Sequence, residues 1–365
     1  MNKAVLLVID NISNPHAGTE GQFLLLIKQL LASGYVVRVM VLSGSEWLQK
    51  NGLPCDYDVL GGAAIKSPLT WWAVYQHARR YRRSGFNVAH VFFNDASVIC
   101  PPVFALAGIK TIISRRDMGF WYNRIYRLVL PFTGRFVSYA VSNSYAVSEV
   151  TGTVERIPSS RLKVIYNGYA IKPVAGVEVR ELEVLKAQGA NLFGLVANIR
   201  PIKRMQDAIA ALASLDIKIG NPHVVIVGAG DASELQALAR TLGVEARVHF
   251  LGGRSDVNEC LRYFSAGLLC SESEGFSNAI VEYQFAGLPV ICTRTGGNPE
   301  AVDNTTGWLY EVGDVAGLAQ AMRALLESPG AAAKKGENAK AIAGERYSVS
   351  AMRDAYIRLY ESLRV

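Results

Sequence analysis

Two doubly wound α/β domains facing one another across a cleft are the architecture predicted by this 365-residue sequence. Three observations predict it. Apolar runs of strand length alternate with segments of helical period, the pattern of parallel sheets covered by helices on both faces. The alternation runs through one half of the chain and restarts after Tyr166-Asn-Gly-Tyr169. Half of the residues are hydrophobic, enough at this length to fill two cores.

In order, the strand candidates of the first half are Val5 to Ile9, Val36 to Leu42, Val88 to Phe93, Thr111 to Ser114 and Ala140 to Ser142. Gln22 to Ser33 has helical period and stops at Gly34. The second half offers strands at Phe193 to Ala197, His223 to Val227, Val248 to Phe250, Gly267 to Cys270 and Pro289 to Thr293. Helices are expected at Met205 to Leu215 and, opened by Gly228-Ala-Gly230, at Ala232 to Leu242. We therefore expect an N-terminal domain over 1–168 and a C-terminal domain over 169–347. The amphipathic segment 348–365, with Met352, Tyr356, Leu359, Tyr360 and Leu363 on one face, is expected to cross back to the first. In open parallel sheets ligands bind outside the carboxyl ends of the strands, so the cleft is the expected active site.

Composition excludes several classes. The first residues read as a strand ending in Asp10, with no cleavage site of a signal peptide. The longest apolar stretch, Ala96 to Ile109, is broken by Pro101 and Pro102 and is too short to span a bilayer. Five scattered cysteines without Cys-x-x-Cys spacing point away from disulfide or zinc frameworks and toward a cytoplasmic location. A net charge of +7 fits either nucleic acid or an anionic membrane surface, and charge alone does not choose.

The chemistry concentrates between Ser273 and Val302. A strand ends, a loop carries Glu274-Gly275-Phe276, and Ser277 or Asn278 can cap a helix running to about Ala286. Gly287 stops that helix. The next strand delivers Thr295-Gly296-Gly297 to the same sheet edge, where Pro299 fits the first turn of another helix. A helix N-terminus there offers free N–H groups and partial positive charge to a diphosphate. Glu274 can reach a sugar hydroxyl, and Glu282, just over one turn into the helix, can accept both hydroxyls of a ribose. Two glutamates eight apart are, by themselves, more often solvated than functional. The capped helix and the flanking glycines outweigh that.

The segment Ser271-Glu-Ser-Glu-Gly-Phe-Ser-Asn-Ala-Ile-Val-Glu-Tyr-Gln-Phe-Ala-Gly-Leu-Pro-Val-Ile resembles the glutamate-x7-glutamate signature of family 4 glycosyltransferases, retaining enzymes with the GT-B fold of two Rossmann-like domains. Gly18-Thr-Glu-Gly21 resembles the family's glycine-rich loop, Val164-Ile-Tyr-Asn-Gly168 its interdomain junction, and His249-Phe-Leu-Gly252 its nucleobase-contacting loop. The resemblance implies that Glu274 contacts the donor sugar and Glu282 the ribose. It implies that backbone around Gly275, Phe276, Ser277 and Asn278 holds sugar hydroxyls and phosphate. A nucleotide-sugar donor is then a substrate, and neither a cofactor nor a metal is expected.

A departing nucleoside diphosphate needs positive charge. Asn198-Ile-Arg200-Pro-Ile-Lys203-Arg204 follows the first strand of the second half, so its bases lie at the strand ends. The family has an arginine five residues before its lysine; aligned on Lys203, that place holds Asn198, and Arg200 is a shifted candidate. Asp56-Tyr-Asp58 has the form of a metal-binding Asp-x-Asp, but no matching fold pattern surrounds it.

The first half is expected to bind the acceptor. Trp71 to Arg83 and Arg115 to Arg135 interleave bases with aromatics, which suits anionic headgroups and a membrane interface. The expected partners are a glycan or a polyprenyl- or lipid-linked acceptor and an anionic membrane surface, the protein lying peripherally on its inner face; nucleic acid is not expected. Arg116 stands where relatives carry histidine, and the neighbouring Asp117 is the surviving match, for positioning an acceptor or for pairing with Arg116. His16, before Gly18, is a further cleft candidate.

The resulting expectation is retaining transfer of a sugar from a nucleotide donor in cell-surface polysaccharide or glycolipid synthesis. Three rivals share parts of the pattern. A sugar-nucleotide epimerase of the same fold would need no acceptor, and a non-catalytic nucleotide-sugar-binding subunit would turn nothing over. A dinucleotide-dependent oxidoreductase would need Gly-x-Gly-x-x-Gly after an early strand, which is missing.

Overall fold

The computed structural model describes residues 3–14, 18–61, 67–170 and 176–364. The chain divides into two compact units, one of residues 1–168 with 349–365 and one of 169–348.

Unit 1 is built on strands β1 (Ala4–Ile9), β2 (Val36–Val41), β3 (Asp56–Val59), β4 (Val88–Val91), β5 (Lys110–Arg115), β6 (Val137–Ser142) and β7 (Leu162–Val164). They form one parallel sheet in the order β3-β2-β1-β4-β5-β6-β7. Helices α1 (Gly18–Ala32), α2 (Glu46–Asn51), α3 (Pro68–Arg83), α4 (Asn94–Leu106), α5 (Arg124–Thr133) and α6 (Tyr145–Glu155) connect them. Period-two alternation splits the strands between two cores. Val5, Leu7 and Ile9 face one side with Val37, Val39 and Val41, while Leu6, Val8 and Met40 face the other.

Unit 2 repeats the plan with β8 (Asn191–Val196), β9 (Pro222–Val227), β10 (Val248–Phe250), β11 (Phe264–Leu269), β12 (Val290–Thr293) and β13 (Gly307–Tyr310). Its parallel order is β10-β9-β8-β11-β12-β13. Its helices are α7 (Arg180–Ala187), α8 (Met205–Ala213), α9 (Ser233–Thr241), α10 (Val257–Leu261), α11 (Asn278–Phe285), α12 (Asn298–Ala301), α13 (Val315–Glu327) and α14 (Pro329–Arg346). The strand order reverses between β8 and β11, so the loops leaving those two strands diverge and open a crevice at their carboxyl ends.

The last helix, α15 (Val349–Ser362), returns to unit 1 and lays Met352, Tyr356, Leu359 and Tyr360 into the core beside α1. Buried polar contacts fix its register. The Tyr360 hydroxyl lies 2.7 Å from Nδ1 of the buried His90, whose Nε2 lies 2.8 Å from Ser114 Oγ. Burial and the neighbouring Arg116 charge push His90 well below the usual imidazole range, so the ring is neutral.

Several expectations need correction. Pro101 and Pro102 do not break the apolar stretch; both sit inside α4. Each proline lacks an N–H, but α4 is buried along most of its length and packing outweighs the lost bonds. Ala140 to Ser142 does not close the first half, because β7 adds one more strand. Gly18 and Gly21 are not in a loop: α1 begins at Gly18, and both occupy its first turn. Gln22, next in that helix, exchanges two hydrogen bonds with the Gly168 backbone at 2.9 and 3.0 Å. His16 lies outside the described residues.

Candidate active site

The site grows from the two loops that flank the β8–β11 reversal in unit 2. After β8, Ala197 to Arg200 lead into a single 3-10 turn, Pro201–Lys203. After β11, Ser271 to Ser277 lead into α11. The loops are joined by the Glu272 N–H, which donates to the Ile202 carbonyl at 2.9 Å. That bond brings Lys203 to Glu274, with Nζ 2.6 Å from Oε1. Ser271 Oγ donates to the same oxygen at 2.7 Å. The hydrogen bonds from described residues fall on Glu274 Oε1, which leaves Oε2 as an open acceptor. Both partners are largely shielded, their side chains 25% and 12% exposed, which strengthens the pair over a surface one.

A third loop holds the Glu274 backbone. Thr293 Oγ1 donates to the Ser271 carbonyl at 2.7 Å and Thr295 Oγ1 to that of Glu272 at 3.0 Å. Gly296 has φ of +50°, and a Cβ there would lie 1.7 Å from the Glu274 carbonyl oxygen. Only glycine fits both constraints. Gly296→Ala should therefore displace Glu274 and lower stability by about 1–3 kcal/mol. Thermal unfolding reads this, and a wild-type melting curve would contradict the contact.

Helix α11 is aimed by a buried tyrosine. Tyr283 Oη accepts from the Val196 N–H at 2.7 Å and lies 3.3 Å from the Leu268 carbonyl, joining the helix to the ends of β8 and β11. Gly267 makes room for its ring, since a Cβ there would stand 2.1 Å from it. Ser277 occupies the N-cap position but its side chain does not cap, contrary to the sequence expectation, and neither does that of Asn278, which lies inside the helix. The Asn278 Oδ1 accepts instead from the Tyr169 hydroxyl. The first-turn N–H groups of α11 are thus left to the crevice. Gly275 leads into Phe276, which is buried against Tyr347 with ring centroids 5.3 Å apart. Glu282 sits half-buried just over one turn into α11.

Two other bases of the β8 loop behave differently. Arg204 is held by Asp207 through bonds of 2.8 and 3.1 Å, and that carboxylate raises the guanidinium further. Arg200 is exposed and bonds to none of the described residues through its side chain. No thiol stands ready as a nucleophile: burial pushes Cys270, directly after β11, up to about 12.

Across β9, Gly252 has φ of +66° and open space beside it, and its carbonyl accepts from the Gly228 N–H at 2.8 Å. A cavity of about 140 Å³ lies next to it, lined by Asn198, Val227, Gly228, Ala229, Gly253 and Arg254 among others. His249 turns away to a stacked partner, His223, with ring nitrogens 2.9 Å apart.

The remaining candidates belong to unit 1. Arg116 and Asp117 do not pair. Arg116 lies over the Phe92 ring, 5.4 Å from its centroid, and bonds Asn167 and the Tyr356 hydroxyl, clamping α15. Asp117 is exposed and accepts from the Gly119 N–H at 2.7 Å. The Asp56-Tyr-Asp58 carboxylates lie on edge strand β3. Asp58 is held by Arg38, Arg80 and the Tyr81 hydroxyl at 2.7–2.9 Å, and those bonds draw its carboxyl down to about 2 against the opposing effect of burial. Among the described residues no group of three or more His, Cys, Asp or Glu has the arrangement of a metal site.

Ser271 and Tyr283 were not singled out by the sequence reading. Ser271 stands inside the signature segment, where a hydroxyl three residues before Glu274 was the available signal. Tyr283 had none.

Residues 181–342 match the family model described as glycosyl transferases group 1. The chain is similar to N-acetyl-alpha-D-glucosaminyl L-malate synthase of Bacillus anthracis, 33% identical over 45% of this chain and 44% of that one. It is also similar to the lipopolysaccharide core biosynthesis glycosyltransferase LpsD of Rhizobium meliloti (strain 1021), 27% identical over 95% of this chain and 96% of that one. Several other curated relatives are matched over 39–55% of their length, so the chain spans about half of them. The fold matches that of Anabaena Alr3699/HepE in complex with UDP, with a TM-score of 0.82, 22% identity, and 98% and 99% of the two chains covered. With the glutamate signature, these matches make residues 181–342 similar to the group 1 glycosyltransferases, and the chain has the two-domain GT-B fold of the solved glycosyltransferase structures.

Proposed function

We propose that this chain transfers a sugar from a nucleoside diphosphate donor to a glycan or lipid-linked acceptor, with retention at the anomeric carbon, in cell-surface polysaccharide or glycolipid synthesis. The observation that carries the reading is the Lys203–Glu274 pair at the β8–β11 reversal, beside the uncapped N-terminus of α11. Lys203 and the α11 N–H groups hold the diphosphate, with Arg200 able to swing in from solvent. These fixed positive groups stabilise the charge that grows on the leaving diphosphate, and no metal is needed for that step. A diphosphate on Lys203 competes with Glu274 for the ammonium, which turns the glutamate toward the sugar hydroxyls. Glu282 takes the ribose hydroxyls, and the backbone at Gly252, beside the 140 Å³ cavity, faces the base. The UDP bound by the Anabaena protein makes a uridine nucleotide the first to try.

In the reaction, the bond from the anomeric carbon to the diphosphate oxygen breaks and the acceptor oxygen bonds to the same face. The acceptor proton passes to the departing phosphate. No covalent intermediate is invoked, since Glu274 is engaged in holding the sugar and the nearby thiol is neutral. Asp117 is proposed to position the acceptor. The free thiols at all five cysteines fit action in the cytoplasm.

Glu282→Ala should weaken donor binding about 10- to 100-fold, the worth of hydrogen bonds to a charged group. Calorimetric titration with uridine diphosphate and its sugars measures this, and an unchanged affinity overturns the ribose assignment. The stereochemistry of the product, read by the anomeric proton coupling, tests retention; an inverted linkage overturns it.

A further inference from the structure

Helix α5 presents its apolar side to solvent. Ile125, Leu128 and Phe132, at i, i+3 and i+7, share one face and are 59%, 79% and 56% exposed. Phe136 continues the stripe, 39% exposed, with its ring centroid 5.7 Å from that of Phe132. Scattered single apolar residues are ordinary on a surface; a continuous stripe marks something that covers it.

The stripe is rigidly mounted. Leu130 and Thr133 are buried on the opposite side of α5, and Tyr126 on that side donates to Asp95 Oδ1 at 2.8 Å. The preceding loop is locked by Tyr122, which donates to the buried Glu155 at 2.5 Å. The apolar face is therefore a built feature and not a loosened helix.

Charge says what covers it. Arg124 and Arg127, both exposed, flank the stripe on the helix, and no Asp or Glu occurs from Met118 through Ser148. The imbalance extends over the unit. Unit 1 carries 21 Lys and Arg against 11 Asp and Glu, a net +10, while unit 2 carries 17 against 20, a net −3. The net positive charge of the chain thus resides in the unit that bears the stripe. Two such faces repel one another, which disfavours a second copy as the occupant. An apolar ridge among arginines fits the surface of an anionic bilayer, where the ridge enters the acyl boundary and the guanidinium groups meet phosphates.

We infer that α5 is a membrane-docking element that seats unit 1 on anionic lipid. The stripe belongs to unit 1 and the donor-binding residues to unit 2, so this inference stands or falls apart from the donor chemistry.

The test is sedimentation with vesicles of phosphatidylcholine alone or mixed with phosphatidylglycerol. The protein should pellet with the mixed vesicles, remain in solution with phosphatidylcholine, and be released by high salt. The combined variant Ile125→Ser, Leu128→Ser and Phe132→Ser should lose pelleting while keeping its thermal unfolding curve and its affinity for nucleotide. If that variant is misfolded, Arg124→Gln with Arg127→Gln serves instead and should bind the mixed vesicles several-fold more weakly. Equal recovery in solution with both vesicle types overturns the inference, as does undiminished pelleting of a folded serine variant or of the glutamine variant. A wild-type dimer in velocity sedimentation that the serine variant abolishes also overturns it, since the stripe would then be covered by a second copy.

Discussion

Lys203→Ala should lower turnover about 10²- to 10³-fold at saturating donor, the cost of removing one fixed group that meets charge growing in a transition state. The expectation follows from where the ammonium is held. The 3-10 turn after β8 and the loop after β11 are tied by the Glu272–Ile202 bond, so Nζ is fixed at the crevice and not free on a flexible stem. Its only carboxylate contact among the described residues, Glu274 at 2.6 Å, is itself anchored by Ser271. Removing the ammonium leaves the Glu274 charge at the place where a diphosphate must come, adding repulsion to the lost attraction. Lys203→Arg should retain part of the activity, since charge survives but the fork places it differently. Arg204 cannot substitute, because Asp207 holds it through both of its carboxylate oxygens. Steady-state kinetics of the two variants decide the matter. Wild-type turnover in Lys203→Ala would remove the lysine from the reaction.

Glu155→Ala is the substitution expected to cost most stability. In unit 1 the Arg115 guanidinium and the Glu155 carboxylate form a two-pronged pair at 2.5 and 3.0 Å, with side chains 3% and 1% exposed. Ser97 accepts a further Arg115 N–H at 2.9 Å, and the guanidinium lies 5.1 Å from the Trp121 ring centroid. Truncating Glu155 strands a buried cation, which costs about 3–5 kcal/mol. At roughly 2–4 °C per kcal/mol for a domain of this size, the melting point of unit 1 should fall by about 10 °C. Replacing both partners by apolar residues of similar volume should recover most of the loss, because the penalty lies in the unpaired charge. The exposed Arg38–Asp56 contact, whose aspartate is 83% exposed, should be worth less than about 1 kcal/mol. If Glu155→Ala unfolds like wild type, the pair is not the keystone of the loop before α5.

The sequence disclosed the two halves and most of the sheet because central parallel strands are buried on both faces. Strands β1, β2, β8 and β9 are almost unbroken apolar runs and announce themselves. The three strands that escaped notice, β3, β7 and β13, are all at sheet edges. There one neighbour suffices, and a sequence such as Asp-Tyr-Asp-Val can pair while remaining partly solvated. The paired prolines of α4 misled for the opposite reason. They obey a local rule that burial overrode, because nearly every neighbour in the helix is packed.

The candidate site was legible only as far as strand ends are. Alternation put the loops after β8 and β11 on one edge of the sheet, and Lys203 and Glu274 stand together there. What the sequence could not disclose is what holds them. Tyr283 and the contact of Gly296 with the Glu274 carbonyl depend on separate segments meeting, and no spacing along one segment encodes that. Arg116 is similar. Its clamp to Asn167 and Tyr356 exists only because α15 returns from 240 residues away to cover it.

The central claim is that unit 2 activates a nucleoside diphosphate sugar through Lys203, Glu274 and Glu282. Its most direct test is to incubate the protein with a panel of nucleotide sugars and measure nucleoside diphosphate release, with and without membrane lipid extract. The account predicts release from one donor class, increased by the extract and abolished in Lys203→Ala. Binding of nucleotide sugars with no release under any condition, or release that Lys203→Ala leaves unchanged, would contradict it.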